Sequence, residues 1–409
     1  MTCANPTSPP ALPMSRTRRL PPQGAFVLKA SMALSFLAGS SAPTPLYAVY
    51  QAQWGFSSTM LTLVFGVYAI AVLLALLVAG RLSDHVGRRP VLMAAAAAQA
   101  LTMVVFALAG DVGDLLLARV LQGLSTGAAV AAVGAGLLDL DRARGAVANA
   151  VAPMLGTAVG GILAGSLVQY LPQPTHLVYA VMGAVFVLQG VALAFVGETA
   201  ERRPGALASL RPQLSVPAHV VKPLLLVTPA IVAAWAVAGF YGSLGPTLLR
   251  SLAGSASFLL GGLALFVLAG SGALAVLALR QRSAQRLLRI GTSLLPAGLA
   301  VVMVALATHS VGVFLAGTAM AGVGFGTAFQ GALRTLVGPL AAHQRAGVLS
   351  ALFILSYLAM GVPAMVAGWR LAQGGDILLI AQAFDGVVLL LAVLALLGTF
   401  VRQEAAAPS

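Results

Sequence analysis

The chain has 409 residues, of which 59% are apolar and 8% are charged, and its mean hydropathy is +0.97. Soluble domains are roughly 45–50% apolar and about 25% charged, so this composition excludes an ordinary soluble protein. It also excludes disorder, collagen and coiled coil, and it predicts a polytopic membrane protein. The single cysteine, Cys3, excludes an internal disulfide and a cysteine-rich metal site.

Apolar stretches of the length that a spanning helix requires, about 20 residues, follow one another along the chain. There are twelve, over 25–50, 59–80, 91–110, 113–138, 145–169, 176–196, 223–243, 257–279, 290–307, 311–334, 346–369 and 377–400. The alternation that a membrane β-barrel needs is absent from the sequence. We therefore predict an all-α membrane protein with 12 transmembrane helices.

The basic residues are distributed very unevenly between the two sides of these spans. Twenty of the 23 lysines and arginines, Lys29 among them, fall on the side of the termini. Only Arg250 and Arg370 fall on the other side, and Arg119 lies within span four. The positive-inside rule then predicts that both termini are cytoplasmic. The basic loops face anionic lipid head groups, so the net charge of +13 requires no nucleic-acid partner.

The longest polar break divides the spans into six and six. We predict a disordered cytoplasmic tail over 1–24, an N-terminal six-helix bundle over 25–197, a cytoplasmic linker over 198–222, a C-terminal six-helix bundle over 223–402 and a short tail over 403–409. A weak internal repeat supports this division, because the stretch from Arg144 to Gly165 resembles the stretch from Arg345 to Gly368. Some transporters are built from such parallel repeats.

The loop after span two carries the most specific motif. It reads Gly80-Arg81-Leu82-Ser83-Asp84-His85-Val86-Gly87-Arg88-Arg89-Pro90. This resembles the signature loop of the major facilitator superfamily, G-x-L-[AS]-D-x-x-G-R-[RK]. Arg119-Val120-Leu121-Gln122-Gly123 is similar to that superfamily's R-x-x-Q-G. Gly156-Thr157-Ala158-Val159-Gly160-Gly161 resembles G-P-x-x-G-G of its exporter branches, with Thr157 in place of proline.

The resemblance extends over 25–402 and implies a secondary transporter in which two bundles rock against each other. In the signature loop, glycines favour a sharp turn and a carboxylate is stabilised at a helix N-terminus. Two aspartates at the end of span four lie at matching depth. We hypothesise a latch on the cytoplasmic side that involves Gly80, Asp84, Gly87, Arg88, Arg89, Asp139 and Asp141. The alternative is a plain positive-inside loop with solvated charges.

Arg119 is the strongest single candidate, because a charge within the hydrocarbon costs about 2.5–3.5 kcal/mol on insertion scales and by default marks function. The resemblance implies that it couples protons or binds substrate, and the alternative is snorkelling to the external interface. In this superfamily spans one, four, seven and ten surround the cavity. The polar candidates there are Ser40, Ser41, Thr44, Tyr47, Gln122, Ser125, Trp235, Tyr241, Thr318 and Gln330. This acid-poor set leaves neutral or anionic substrates open.

The coupling ion is not defined by the sequence. Proton-driven exporters of this superfamily often carry an acid in span one or four, and here neither span has one before Asp139. The one acid well within a span is Asp385, in span twelve. Its simpler interpretation is that it lies at the periphery of the bundle or at the external edge of the span. The five histidines map to loops or helix ends. We expect the proton gradient as the energy source and no cofactor, with efflux of a drug or metabolite favoured over uptake or uniport.

Other function classes have weaker support. Gly123-Leu124-Ser125-Thr126-Gly127 matches the nucleophile-elbow pattern, yet it lies in a predicted span and not in a strand–turn–helix context. A phosphate-binding ATPase loop is absent from the sequence. A non-transporting sensor or an intramembrane enzyme is a distant alternative. Gly156, Gly160, Gly161 and Gly165 are typical of close helix packing or hinges. We expect a monomer in a bacterial inner membrane whose partners are a small molecule and the lipid bilayer.

Overall fold

The computed structural model describes residues 20–404 except 213. In that part of the chain the secondary structure is entirely helical. The helices are α1 Pro22–Ser41, α2 Pro43–Trp54, α3 Ser58–Ala79, α4 Leu82–Val86, α5 Arg88–Ala107, α6 Val112–Leu140, α7 Arg142–Tyr170, α8 Pro174–Leu193, α9 Ala206–Ser209, α10 Ala218–Ser243, α11 Gly245–Leu252, α12 Phe258–Ala278, α13 Ala284–Thr308, α14 Val311–Val337, α15 Ala342–Ala372 and α16 Ile377–Glu404. The predicted tails lie largely outside the described residues.

Twelve segments of the described chain are long and apolar enough to cross a membrane, as the sequence predicted. The two short helices α4 and α9 lie outside these spans, in the signature loop and in the linker. The predicted boundaries shift by a few residues, since α1 already begins at Pro22 and α16 continues to Glu404. The all-α fold with 12 transmembrane helices is therefore confirmed.

Spans one and seven are each interrupted near two-thirds of their length. Span one consists of α1 and α2 on either side of Ala42, and span seven continues from α10 into α11 after Leu244. Pro43 and Pro246 stand just after these interruptions. Proline has no N–H, so each releases the carbonyl four residues earlier from the helical ladder. The released carbonyls belong to Gly39 and Gly242, and both find partners on other helices.

The helices pack as two groups of six spans. In the first, α1 packs on α6 and α7, α3 packs on α6, and α5 packs on α6 and α8. In the second, α14 packs on α12 and α13, while α16 packs on α10 and α13. The two groups meet through α3 against α15 and through α7 against α12. Each bundle therefore contributes one helix to each side of the interface.

We call the face that carries the start of α1, α4 and α9 the terminal face, and the other the opposite face. Contacts between the bundles begin at the opposite face, where Gln169 accepts a hydrogen bond from the N–H of Phe258 at 2.9 Å. They continue to the middle of the helices, where Met154 lies against Gly272. The bundles are thus closed against each other at the opposite face.

Candidate functional site

The signature loop forms a charge cluster on the terminal face. Arg88, at the start of α5, pairs with Asp84, and its Nε donates to Asp139 Oδ2 at 3.1 Å. Its Nη1 also donates to Ser83 Oγ at 2.8 Å. Arg88 is almost fully buried, although two of its partners are partly exposed. The signature loop is therefore tied to the end of span four within the N-terminal bundle.

Asp141 does not join this cluster. It ends α6 and caps α7, because its Oδ1 accepts from the N–H of Arg144 at 2.9 Å. Its second contact is an exposed ion pair with the Arg144 side chain at 3.7 Å. Of the two aspartates in the hypothesised cluster, Asp139 therefore contacts Arg88, whereas Asp141 caps α7 at the break between α6 and α7.

Glu198 was missed by the sequence analysis, and it completes the cluster from the end of span six. Its carboxylate accepts from the N–H groups of Arg88 at 2.8 Å and Arg89 at 3.0 Å, which begin α5. It also accepts from the N–H groups of Thr199 and Ala200. Partial burial opposes ionisation of Glu198, but these backbone N–H groups outweigh it and lower the pKa. The signal that could have identified Glu198 is the N-terminus of α5, where the residue before the helix provides no side chain to cap it.

The two glycines of the loop behave differently. Gly87 has φ +107°, and a Cβ there would lie 2.5 Å from Glu198 Oε2, so only glycine permits this cap. Gly80 has an ordinary helical φ of −57°, so the expected sharp turn does not rest on its conformational freedom. The side chain of Arg89 extends to the end of α8 and donates a hydrogen bond to the carbonyl of Ala194 at 2.8 Å.

Lys29 lies near the start of the first span, on the side of the termini, and the structure places its side chain in the interior of the bundle. It is 1% exposed, and its Nζ donates to the carbonyl of Gly136 at 3.1 Å and to Thr199 Oγ1 at 3.3 Å. Thr199 Oγ1 in turn donates to Asp139 Oδ2 at 3.2 Å. A buried lysine is therefore connected to the latch cluster through one hydroxyl.

Arg119 is fully buried inside the N-terminal bundle, which rules out snorkelling to the interface. It lies about 10 Å along α6 from the opposite face. Its Nε donates to Tyr47 Oη at 2.9 Å and its Nη1 donates to the carbonyl of Ser40 at 2.9 Å. The guanidinium also lies 5.2 Å from the ring centroid of Tyr68, a residue that the sequence analysis did not single out. Within the described residues, no carboxylate forms an ion pair with Arg119.

The bend in span one explains why this charge is tolerated. Pro43 frees the carbonyl of Gly39, which accepts from Gln122 Nε2 at 2.9 Å. The next carbonyl, of Ser40, accepts from Arg119, and Gln122 Oε1 accepts from Arg119 as well. Gln122 thus replaces the hydrogen bond that Pro43 removes from the helix, and Arg119 binds the adjacent carbonyl at the bend. Irregular backbone at membrane depth requires such partners.

Ser125 is a structural residue in this arrangement. It lies within the continuous helix α6, and its Oγ contacts Gln99 of α5 and the carbonyl of Gln122. A nucleophile elbow requires a strand-to-helix turn, so the G-x-S-x-G match at 123–127 is a coincidence.

The cavity candidates Trp235, Tyr241, Thr318 and Gln330 lie in the C-terminal bundle and do not converge on one point. Trp235 packs edge-on to Phe329, with 5.3 Å between ring centroids, and lies 5.3 Å from Tyr357. Its indole N–H is buried and has no acceptor among the described residues. Tyr241 instead shares a hydrogen bond of 2.8 Å with Thr318, and Gln330 is half-buried on α14. We call Trp235, Phe325, Phe329 and Tyr357 the aromatic cluster.

The four glycines of α7 serve two different interfaces. A Cβ on Gly156 would lie 2.1 Å from the carbonyl oxygen of Leu34, and one on Gly160 would lie 2.2 Å from that of Ala38. These two glycines therefore seat α7 on α1 within one bundle. Gly161 and Gly165 face α12 of the other bundle, where a Cβ on Gly262 would lie 2.3 Å from the Gly161 carbonyl.

Comparison with known proteins agrees with this architecture. The family model of the Major Facilitator Superfamily matches residues 30–365. A crystal structure of the human organic anion transporter MFSD10 (TETRAN) is similar, with a TM-score of 0.68 and 18% sequence identity. The match covers 92% of this chain and 100% of the human chain, and at this identity it shows the shared fold. The chain is a multi-pass membrane transporter that belongs to the major facilitator superfamily.

Proposed function

We propose that the chain is a secondary active transporter that exports a small neutral or anionic organic compound in exchange for protons. It works as a monomer in a bacterial inner membrane, with both termini in the cytoplasm.

Alternating access is supported by the placement of the contacts between the bundles. They lie from the opposite face to the middle of the helices, on the two helix pairs α3–α15 and α7–α12. Glycines bring the backbones together in both pairs, for example Gly161 against Gly262 and Gly368 against Thr62. Because these contacts are made by glycines and small side chains, the helices can separate without leaving charged groups unpaired. We infer that the bundles rock apart there to expose the interior to the other side.

The proposed substrate class follows from Trp235, whose indole N–H has no acceptor among the described residues. A buried indole N–H normally has an acceptor, and this one is surrounded by aromatic rings instead. The neighbouring Phe65 and Ala69 belong to the other bundle, so the aromatic cluster lies where the bundles meet. A flat organic molecule with a carbonyl, carboxylate or other acceptor group supplies what the indole lacks. That the structurally similar human protein is an organic anion transporter is in keeping with this choice.

The fifth span favours export. Its Gly156–Gly161 segment resembles the exporter motif, although Thr157 replaces the proline. Uptake or uniport of a neutral or anionic metabolite is the second candidate, favoured by that missing proline.

The test is accumulation of labelled neutral and anionic aromatic compounds in pump-deficient cells, with and without a protonophore. Cells with the wild-type chain should retain less of a substrate than empty-vector cells, and the protonophore should abolish the difference. Trp235→Phe removes the N–H donor and should weaken substrate affinity about tenfold, since the acceptor loses its partner. The matched control is Trp369→Phe, because Trp369 is half exposed on the outer surface of α15.

Higher accumulation than the empty vector would instead establish the importer. Equal effects of Trp235→Phe and Trp369→Phe would remove the aromatic cluster from the substrate path. Equal accumulation across the whole panel, with correctly folded protein in the membrane, would contradict the proposed substrate class.

A further inference from the structure

Asp385 is the only acidic side chain that is buried among the described residues. It is 6% exposed and lies about 12 Å along α16 from the opposite face. The sequence allowed an external or peripheral position for it, and the structure places it in the interior of the C-terminal bundle. Its Oδ2 atom has no hydrogen-bond partner in the described chain.

The surroundings of Asp385 are apolar. It lines a cavity of about 10 Å³ together with residues of α10, α11, α13 and α14. Those that approach it include Phe240, Leu248, Val302, Leu306 and Phe314. Tyr241 is the only other titratable group that lines the cavity, and its hydroxyl is already paired with Thr318. The lining residues from α11, α13 and α14 are uncharged and apolar.

This pocket does not support an ionised carboxylate. A carboxylate in an apolar interior needs a cation, several donors or water, and otherwise it becomes neutral. A cavity of about 10 Å³ is at the lower limit for one water molecule, and a water there would lack polar partners. Asp385 therefore holds a proton in this closed arrangement.

We propose that Asp385 is the proton-binding site that couples the proton gradient to the movement of the bundles. This inference rests on the proposed proton-driven function and names the residue that would carry the proton. Asp385 is protonated while the opposite face is closed, and it exchanges its proton when that face opens.

The link to the bundle movement runs through α10. Phe240 and Tyr241 line the cavity on one side, and the following residue, Gly242, faces the N-terminal bundle. There its carbonyl accepts from Thr44 Oγ1 at 3.1 Å. A displacement of α10 away from α16 opens the cavity beside Asp385, and the same displacement breaks the contact at Gly242. Movement of α10 therefore links ionisation of Asp385 to opening of the opposite face.

Infrared spectroscopy of the purified protein in lipid nanodiscs tests the proton site without a substrate. The carbonyl band of a protonated carboxylic acid should be present at pH 7, should disappear at alkaline pH and should be missing in Asp385→Asn. Asp376→Asn is the matched control, because Asp376 lies at the start of the same helix and accepts from the N–H of Leu378 at 2.7 Å. A band at pH 7 that Asp385→Asn leaves unchanged, or no such band in the wild type, would overturn the proposal.

A second measurement avoids the risk that Asp385→Asn fails to fold. Dicyclohexylcarbodiimide is an apolar reagent that reacts with protonated carboxyl groups in membranes. Peptide mass spectrometry of the wild-type chain should locate the adduct on Asp385 at pH 7, with labelling that falls as the pH rises. Absence of labelling at Asp385 with labelling elsewhere would contradict the proton site. Labelling of Asp385 without any proton-driven transport would instead contradict the proposed function alone.

Discussion

Thr44 Oγ1 donates a hydrogen bond of 3.1 Å to the carbonyl of Gly242, and this bond joins the two bundles. The carbonyl is free because Pro246 lacks the N–H that would have bonded it in a continuous helix. Thr44 lies next to Pro43, at the equivalent bend of the other bundle. The two bends therefore meet across the interface, where one side chain satisfies a backbone group that the other proline leaves unpaired.

Thr44→Val should favour opening of the opposite face. The substitution keeps the shape of the side chain and removes a bond worth about 1 kcal/mol, which shifts the open-to-closed ratio by roughly fivefold. The measurement is the distance between spin labels at Gln53 and Ala256, which lie exposed on the two bundles. Thr327→Val is the control, because Thr327 bonds only within its own helix, to the carbonyl of Val323. An unchanged distance distribution in Thr44→Val would show that this bond does not stabilise the closed form.

Gly262→Ala should prevent full closure of the opposite face. The added methyl group would lie 2.3 Å from the carbonyl oxygen of Gly161, so the backbones of α7 and α12 would have to separate. We expect at least a tenfold loss of transport rate with little change in expression, since the helices stay intact. Gly361→Ala is the matched control, because no atom lies within 4 Å of a Cβ there. Similar rates in the two variants would mean that close contact at Gly161 is not needed.

Arg119→Lys should abolish transport although it preserves the charge. A lysine lacks the planar fork that bonds Tyr47 and the Ser40 carbonyl together, so span one loses support at its bend. We expect destabilisation of about 2–3 kcal/mol, because hydrogen bonds to a charged group are lost in a buried site. Thermal unfolding and transport in proteoliposomes measure the two effects. The control is Arg144→Lys, whose side chain is 75% exposed; equal behaviour of both variants would contradict a special role for Arg119.

Asp84→Asn should reduce transport while expression stays at the wild-type level. The substitution removes one of two ion pairs of Arg88 and leaves the pair with Asp139 in place. Because Asp84 is half exposed, the effect on stability should be within about 1 kcal/mol. The transport rate should fall at least fivefold if the cluster is a conformational latch. Asp141→Asn is the control, since Asp141 lies outside the cluster; a wild-type rate in Asp84→Asn would remove the latch.

Glu198→Gln should destabilise the chain at neutral pH by about 1 kcal/mol, through a weaker cap on α5. The pKa of Glu198 is lowered from 4.5 in the folded protein. Its contribution is therefore present above that value and is lost as the pH falls through the lower, folded pKa. The unfolding temperatures of wild type and variant should differ at pH 7 and converge in acid. A difference that persists unchanged at acidic pH would show that the carboxylate charge is not involved. Glu201→Gln, outside the cap, is the control.

The twelve spans follow from the amino-acid sequence, because the length and apolarity of a spanning helix are local properties. The signature loop and the buried charge of Arg119 are likewise visible in the sequence, since a specific motif and a charge within an apolar span each lie in a single segment. The predicted pairing of Arg88 with Asp84 agrees with the structure because both residues belong to the same loop motif, whereas the pairing with Asp139 brings in a residue from the end of another span.

The side chains that meet across helices become visible in the packed structure. Glu198 caps α5 from a position 110 residues away, and Lys29 is buried against Gly136 of another span. Asp385 lies in the interior of a bundle, whereas Asp141 turns away from the cluster that it was expected to join. Each outcome depends on the rotation and depth of one helix against another. The rotation and depth of a helix are set by how the glycines, prolines and large side chains of both packed helices fit together. A single segment of sequence contains only one of the two helices.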